Sequence, residues 1–148
     1  MAYTYLLYHI VISPKHHESV INEEHERDLH NYIWGICKQK QCILHRINSM
    51  PDHMHMLVEI HPSISVADFV KTIKISTNTW MHNSGFFPKF DRWAESYCAL
   101  SYSREQKDTV RAYIMNQKEH HRHQTLAEEY TTLLAEFGMV PDEWLLKG

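Results

Sequence analysis

His53-Met54-His55 and Tyr113-Ile114-Met115-Asn116-Gln117 are the two segments of this 148-residue chain whose side chains can do chemistry together. On a strand, residues two apart project from the same face, so both imidazoles stand side by side while Met54 turns the other way. Such a pair can give two adjacent ligands to one divalent cation. Thirteen histidines make an H-x-H pattern an ordinary accident, and a second stands at His121-Arg122-His123. The setting singles out the first pair. It follows Met50-Pro51-Asp52 and opens the apolar run Met56-Leu57-Val58, and ligands at the start of a strand are held more firmly than ligands on a loop.

Tyr113 and Gln117 are four residues apart and share one face of a helix. A phenol can attack phosphorus to leave a covalent phosphotyrosine, a nearby divalent cation eases that step, and a glutamine amide oxygen is an adequate hard ligand. Val110, Tyr113, Ile114 and Gln117 also have the spacing of an ordinary buried helix stripe. On spacing alone, a core tyrosine fits as well as a nucleophile.

The elements that must carry these residues follow from periodicity. Tyr3–Ser13 is rich in Tyr, Leu, Ile and Val and stops at Pro14, which predicts a strand rather than a signal peptide. Leu29, Tyr32, Ile33 and Ile36 recur at helical spacing within a helix from about Asn22 to Lys40, acidic at its start and basic at its end. Cys42–Ile47 and His53–Ile60 read as a β-hairpin with a longer loop over Asn48–Asp52. A second helix starts at the capping-box-like Ser65-Val66-Ala67-Asp68, buries Val66, Phe69, Val70, Ile73 and Trp80, and ends at Asn83-Ser84-Gly85. Ser96–Tyr102 is a fourth strand. A third helix runs from Ser103 to about Arg122, and a fourth from Thr125 to Gly138 with Leu126, Tyr130, Leu133, Leu134 and Phe137 on one face. The order β-α-β-β-α-β plus two C-terminal helices predicts an α+β, ferredoxin-like antiparallel sheet.

Length and composition bound the rest. Residues 1–148 make one domain, and 43% apolar with 22% charged residues argues against disorder. No apolar run reaches the ~20 residues of a membrane span, which predicts no membrane partner and a cytoplasmic location. Three cysteines without a C-x-x-C pair argue against a disulfide framework or a thiolate zinc site. The net charge of −3 is uneven: residues 1–30 carry −3, residues 31–122 carry +4 and residues 123–148 carry −4. A polyanion partner is compatible with the middle and is not demanded by it.

Taken together, the two segments resemble a family. Pro51-Asp52-His53-Met54-His55 with Met56-Leu57-Val58 resembles the HUH motif of single-tyrosine transposases of the insertion-sequence-200/605 group and their repeat-associated relatives. Tyr113 through His121 is similar to that family's Tyr-Ile-x-Asn-Gln-x-x-His-His helix. Phe90, Trp93 and Tyr97, the strand Ala99-Leu100-Ser101, and the tail residues Glu128, Glu129, Leu133, Leu134 and Gly138 extend the resemblance over nearly the whole chain. It implies that His53, His55 and Gln117 bind Mg²⁺ or Mn²⁺. It implies that Tyr113 attacks single-stranded DNA with hairpin ends to form a 5′-phosphotyrosine link, and that the protein is a homodimer. Lys71 and Lys74 are the candidate phosphate contacts, against a solvated helix face. Trp93 and Tyr97 are candidates to stack unpaired bases, with core packing the competing fate. His120 and His121 either line the same site or simply pack. The chain departs from the family in its net acidity, in Ala94, Ser96 and Cys98 around the Trp and Tyr, and in its acidic tail. Three alternatives remain: a domesticated nuclease of repeat hairpins with the same chemistry, a ferredoxin-like single-stranded nucleic-acid binding module without catalysis, and a divalent-metal sensor.

Overall fold

The computed structural model of the chain describes residues 2–148. Four strands, β1 (Leu7–Ile12), β2 (Ile43–Met50), β3 (His53–Glu59) and β4 (Cys98–Tyr102), form one antiparallel sheet in the order β2-β3-β1-β4. Helix α1 (Glu26–Gln39) links β1 to β2, and α2 (Val66–Ser84) links β3 to β4. This is the ferredoxin-like α+β arrangement. Beyond β4 come α3 (Lys107–Met115), α4 (Gln117–His120), α5 (Leu126–Ala135) and α6 (Glu143–Lys147), so the C-terminal part holds more helices than periodicity predicts.

Alternation along the strands builds two cores. Ile10, Ile12, Met54, Met56 and Val58 pack with Leu29 and Ile33 of α1 and Phe69, Val70 and Ile73 of α2. The opposite face carries Val11, Cys98 and Leu100 against Leu126, Tyr130, Leu133 and Leu134 of α5, and Leu7 and Leu57 against Val110 and Ile114 of α3. Both faces are covered. Side chains that a one-sided sheet would leave in water, His9, His53 and His55, are therefore buried.

Strands β1 and β4 begin at Leu7 and Cys98, later than the expected Tyr3 and Ser96, and four other boundaries differ for a local reason. The hairpin has no long loop: β2 runs through Met50, which pairs with His53 across the two-residue turn Pro51-Asp52. Polar Asn48 and Ser49 belong to the strand because both bond to helices beside it. Helix α1 begins at Glu26, since the Asn22 side chain accepts the His25 N–H and holds the preceding residues in turns. The third helix breaks at Asn116, where φ −93° and ψ 18° leave the helical region; Asn48 Nδ2 donates to the freed carbonyls of Ile114 at 2.9 Å and Met115 at 3.2 Å. Helix α5 stops at Ala135, and Phe137 lies partly exposed beyond it.

Helix α2 matches its expected ends: Ser65 Oγ accepts the Asp68 N–H, and Gly85 closes the helix at φ 74°, a left-handed conformation that glycine adopts without a Cβ penalty. Trp93 is core, with its indole N–H on Thr77 Oγ1 at 2.8 Å, while Tyr97 is half-buried.

Candidate active site

The hairpin turn and β3 present His53 and His55 on the sheet face beneath the C-terminal helices. Asp52 Oδ1 lies 2.7 Å from His53 Nδ1, and His9 of β1 places its Nε2 2.7 Å from His55 Nδ1 with the rings stacked at 5.0 Å. Each imidazole is thereby fixed from behind and aims Nε2 forward, as ligand histidines do when an outer partner sets ring orientation.

The break at Asn116 supplies the opposite wall. Lys118 Nζ bonds the Glu26 carboxylate and the Ser49 carbonyl, which pins α4 to β2. Gln117 Oε1 lies 3.2 Å from His53 Nε2. His121, just past α4, packs edge-on to His53 with ring centroids 4.4 Å apart. Tyr113, on α3, lies 4.6 Å from the His120 ring and 6.1 Å from the His55 ring.

Helix α5 provides the hub. Thr125 and Glu128 form a reciprocal capping box that fixes its start, and Glu129 on the next residue points into the cluster. Its Oε1 lies 3.2 Å from His53 Nε2, 3.1 Å from His55 Nε2 and 2.8 Å from His121 Nε2. Its Oε2 accepts the Tyr113 hydroxyl and the Gln117 amide N–H at 2.9 Å.

The electrostatics follow from burial and these bonds. Burial pushes His53 down, yet bonds to Asp52 and Glu129 outweigh it and raise its pKa to about 9. Burial dominates at His55, which falls to about 4, and at His9, held well below the ordinary histidine value. Burial alone would raise Glu129, but bonds from His121, His53 and His55 hold it far below the usual carboxylate range. Burial and the Glu129 carboxylate together hold the Tyr113 phenol well above its ordinary value.

One ligand atom each from His53, His55, His121 and Glu129 falls within 4.8 Å of the others. The donor set fits a divalent cation on its chemistry. Three imidazole nitrogens converge on one carboxylate oxygen that offers two lone pairs, and no Lys or Arg among the described residues pairs with Glu129. Imidazole and carboxylate are the ordinary ligands of first-row divalent ions.

His53, His55, Gln117 and Tyr113 are thus brought to one place. Lys71 and Lys74 are not, because α2 covers the other face of the sheet. Lys74 Nζ donates to the Ala94 carbonyl at 2.7 Å and the Glu95 carbonyl at 3.1 Å, with burial lowering its pKa, and Lys71 is exposed. The sequence reading assigned no role to Glu129, His9 or Asp52. A signal for Glu129 was present: it is a carboxylate inside the stripe Leu126, Tyr130, Leu133, Leu134. His9 likewise interrupts an apolar strand at an inward position.

A ferredoxin-like sheet carrying a buried histidine–carboxylate cluster beside a tyrosine is a fold with a site able to hold a divalent cation. Comparison with known proteins narrows it. Residues 2–117 match the family model described as "Transposase IS200 like", so the chain belongs to the IS200-like transposase family, whose activity is the cleavage and transfer of DNA strands. It is 28% identical over 123 residues to the ISDra2 transposase TnpA of Deinococcus radiodurans, covering 78% of this chain and 86% of that protein. It is 29% identical over 96 residues to the transposase for insertion sequence element IS200 of Salmonella typhimurium, covering 64% of this chain and 63% of that one. A crystal structure described as a transposase from Deinococcus radiodurans superposes with a TM-score of 0.62 at 28% identity, over 79% of this chain and 95% of that one. A REP-associated tyrosine transposase bound to a REP hairpin superposes at 0.60 and 13% identity, over 82% and 73% of the two chains, a likeness of fold. The family match ends at Gln117, before His121 and Glu129.

Proposed function

We propose that the protein is a metal-dependent single-stranded DNA transposase in which Tyr113 is the nucleophile and the joined state is a 5′-phosphotyrosine. The observation that carries this reading is the Tyr113 hydroxyl resting on the same buried carboxylate that gathers the imidazoles of His53 and His55.

In this reading His53, His55 and Gln117 hold Mg²⁺ or Mn²⁺, which supplies positive charge to a non-bridging oxygen of the scissile phosphate. The Tyr113 oxygen bonds to phosphorus as the bond from phosphorus to the 3′ oxygen breaks. The phenol, whose hydrogen bond Glu129 Oε2 accepts, loses its proton only as its oxygen bonds to phosphorus, and the departing 3′ oxygen takes up a proton to become a 3′-OH. In rejoining, a 3′-OH attacks the same phosphorus, its proton is lost, and Tyr113 departs and recovers one. One phosphodiester is exchanged for another, so the bond energy is conserved and no nucleotide is consumed.

Residues 1–148 act as one domain in this proposal, since α5 brings Glu129 to a site otherwise built from the matched region. Single-stranded DNA with hairpin ends is the proposed substrate, in keeping with the hairpin held by the REP-associated structure of similar fold. In the homodimer we propose, each chain would carry a site made from its own residues. The test is incubation of hairpin-bearing single-stranded DNA, labelled at either end, with Mg²⁺ or Mn²⁺ and a denaturing gel. Metal-dependent retention of the label on the 3′ side of the break supports the reading; DNA that is bound and never joined to protein contradicts it.

A further inference from the structure

The implied ligand set, two histidines and a glutamine, leaves His121 and Glu129 without a role, although both are at the centre of the cluster. Glu129 is 1% exposed and its ion-pair partners are imidazoles alone. Burying a carboxylate is costly unless it is paired or holds a cation. His121 Nε2 makes the shortest of the three imidazole approaches to Oε1, 2.8 Å. Meanwhile Oε2 accepts from the Tyr113 hydroxyl and the Gln117 amide.

We infer that His121 and Glu129 are ligands of the same cation, and that the Glu129 carboxylate bridges the metal and the nucleophile, Oε1 on the cation and Oε2 on the Tyr113 hydroxyl. This rests on the metal-dependent reading above and extends it past the end of the family match. Gln117 Oε1 stays within reach of the cation while its amide N–H orients Glu129. His53, His55, Gln117, His121 and Glu129 would then hold the cation, whose positive charge would be available to a phosphate oxygen of the substrate. One carboxylate would set the distance between the charge that polarises the phosphate and the oxygen that attacks it. Three imidazole Nε2 atoms within 3.2 Å of one carboxylate oxygen are also spaced as ligands of one shared cation.

The test uses the intact chain and Mn²⁺ alone, without DNA. Calorimetric titration of wild type, Glu129→Gln and His121→Asn is expected to show Mn²⁺ affinity reduced tenfold or more in each variant. Pulsed EPR of Mn²⁺-loaded wild type is expected to report three coordinated imidazole nitrogens, a readout that does not depend on how the variants fold. Two nitrogens, or affinity within twofold of wild type in either folded variant, overturns the inference. If at the same time His53→Ala abolishes binding, the metal-dependent reading stands without it. If wild type binds no Mn²⁺, both fall.

Discussion

At the scale of single residues, the site is a small number of buried polar groups that satisfy one another. Tyr113→Phe keeps the ring against His120 and removes the hydroxyl from Glu129. Its expected effect on stability is small, about 1 kcal/mol for one hydrogen bond, whereas covalent joining to DNA falls to background and DNA binding by filter retention is unchanged. His9→Ala removes the ring that stacks on His55 and holds its Nδ1. Losing such an outer partner typically weakens metal binding ~10–100-fold, and calorimetry with Mn²⁺ reads that directly. Away from the site, His30 ties α1 to β2 through Ser49, with Nε2 2.9 Å from its hydroxyl, and burial lowers its pKa from 6.5 to about 4. The unfolded chain therefore binds the His30 proton more readily than the folded one. The stability due to burying neutral His30 is complete above pH 6.5 and is lost as pH falls through 6.5 toward 4. Denaturant unfolding of His30→Gln is expected to show a shallower fall over that window, by roughly 3 kcal/mol at most.

At the scale of elements, two devices place the groups of the candidate site, and they were unequally legible in the sequence. The capping box at Thr125 fixes where α5 starts, and so which residue, Glu129, turns inward. Thr125→Ala is expected to cost about 1 kcal/mol of stability by denaturant titration and to slow covalent joining more than that loss alone explains. The second device is the break at Asn116, which swings Gln117 and His121 over β3. The sequence reading placed a continuous helix there because no Gly or Pro interrupts it; the interrupting group is Asn48, some seventy residues away, and no local pattern reports it. Strands and helices with clean periodicity, such as Leu7–Ile12 and Val66–Ser84, were readable because alternate or every third and fourth residues face a core on a fixed side. The hairpin turn was misread because Asn48 and Ser49 look like loop residues until the helices that bond them are in place. His53, His55, Tyr113 and Gln117 could be singled out by type and spacing, but their convergence is a property of the tertiary fold. Glu129 was hidden in plain sequence, a charged residue in an apolar stripe.

At the scale of the whole molecule, the sheet is covered on both faces, and the second cover is what closes the site. α5 buries Leu126, Tyr130, Leu133 and Leu134 against Val11, Cys98 and Leu100. Its loss would expose that apolar surface together with the ligand cluster. Leu133→Ala is accordingly expected to destabilise by ~2–5 kcal/mol. Charge works against tight DNA binding: the chain is −3 overall and the tail from residue 123 carries −4. Few phosphates can be neutralised, so the dependence of DNA affinity on salt is expected to be shallow. A phosphate contact at exposed Lys71, if DNA reaches that face, would show as a slope of log K against log salt reduced by about 0.7 in Lys71→Ala, and an unchanged slope would place DNA elsewhere. Lys74 has two of its three donors committed to the carbonyls of residues 94 and 95, and its replacement should loosen that loop as well.

The covalent attachment of Tyr113 to DNA proposed above is read by peptide mapping with mass spectrometry. The protein is incubated with Mn²⁺ and hairpin-bearing single-stranded DNA, the DNA is trimmed by nuclease, and the digest is searched for a nucleotide-modified tyrosine. One modified peptide, spanning Tyr113 and absent without metal, is expected. Modification of a different tyrosine among the eight in the chain, or strand cleavage with no modified tyrosine at all, would contradict it.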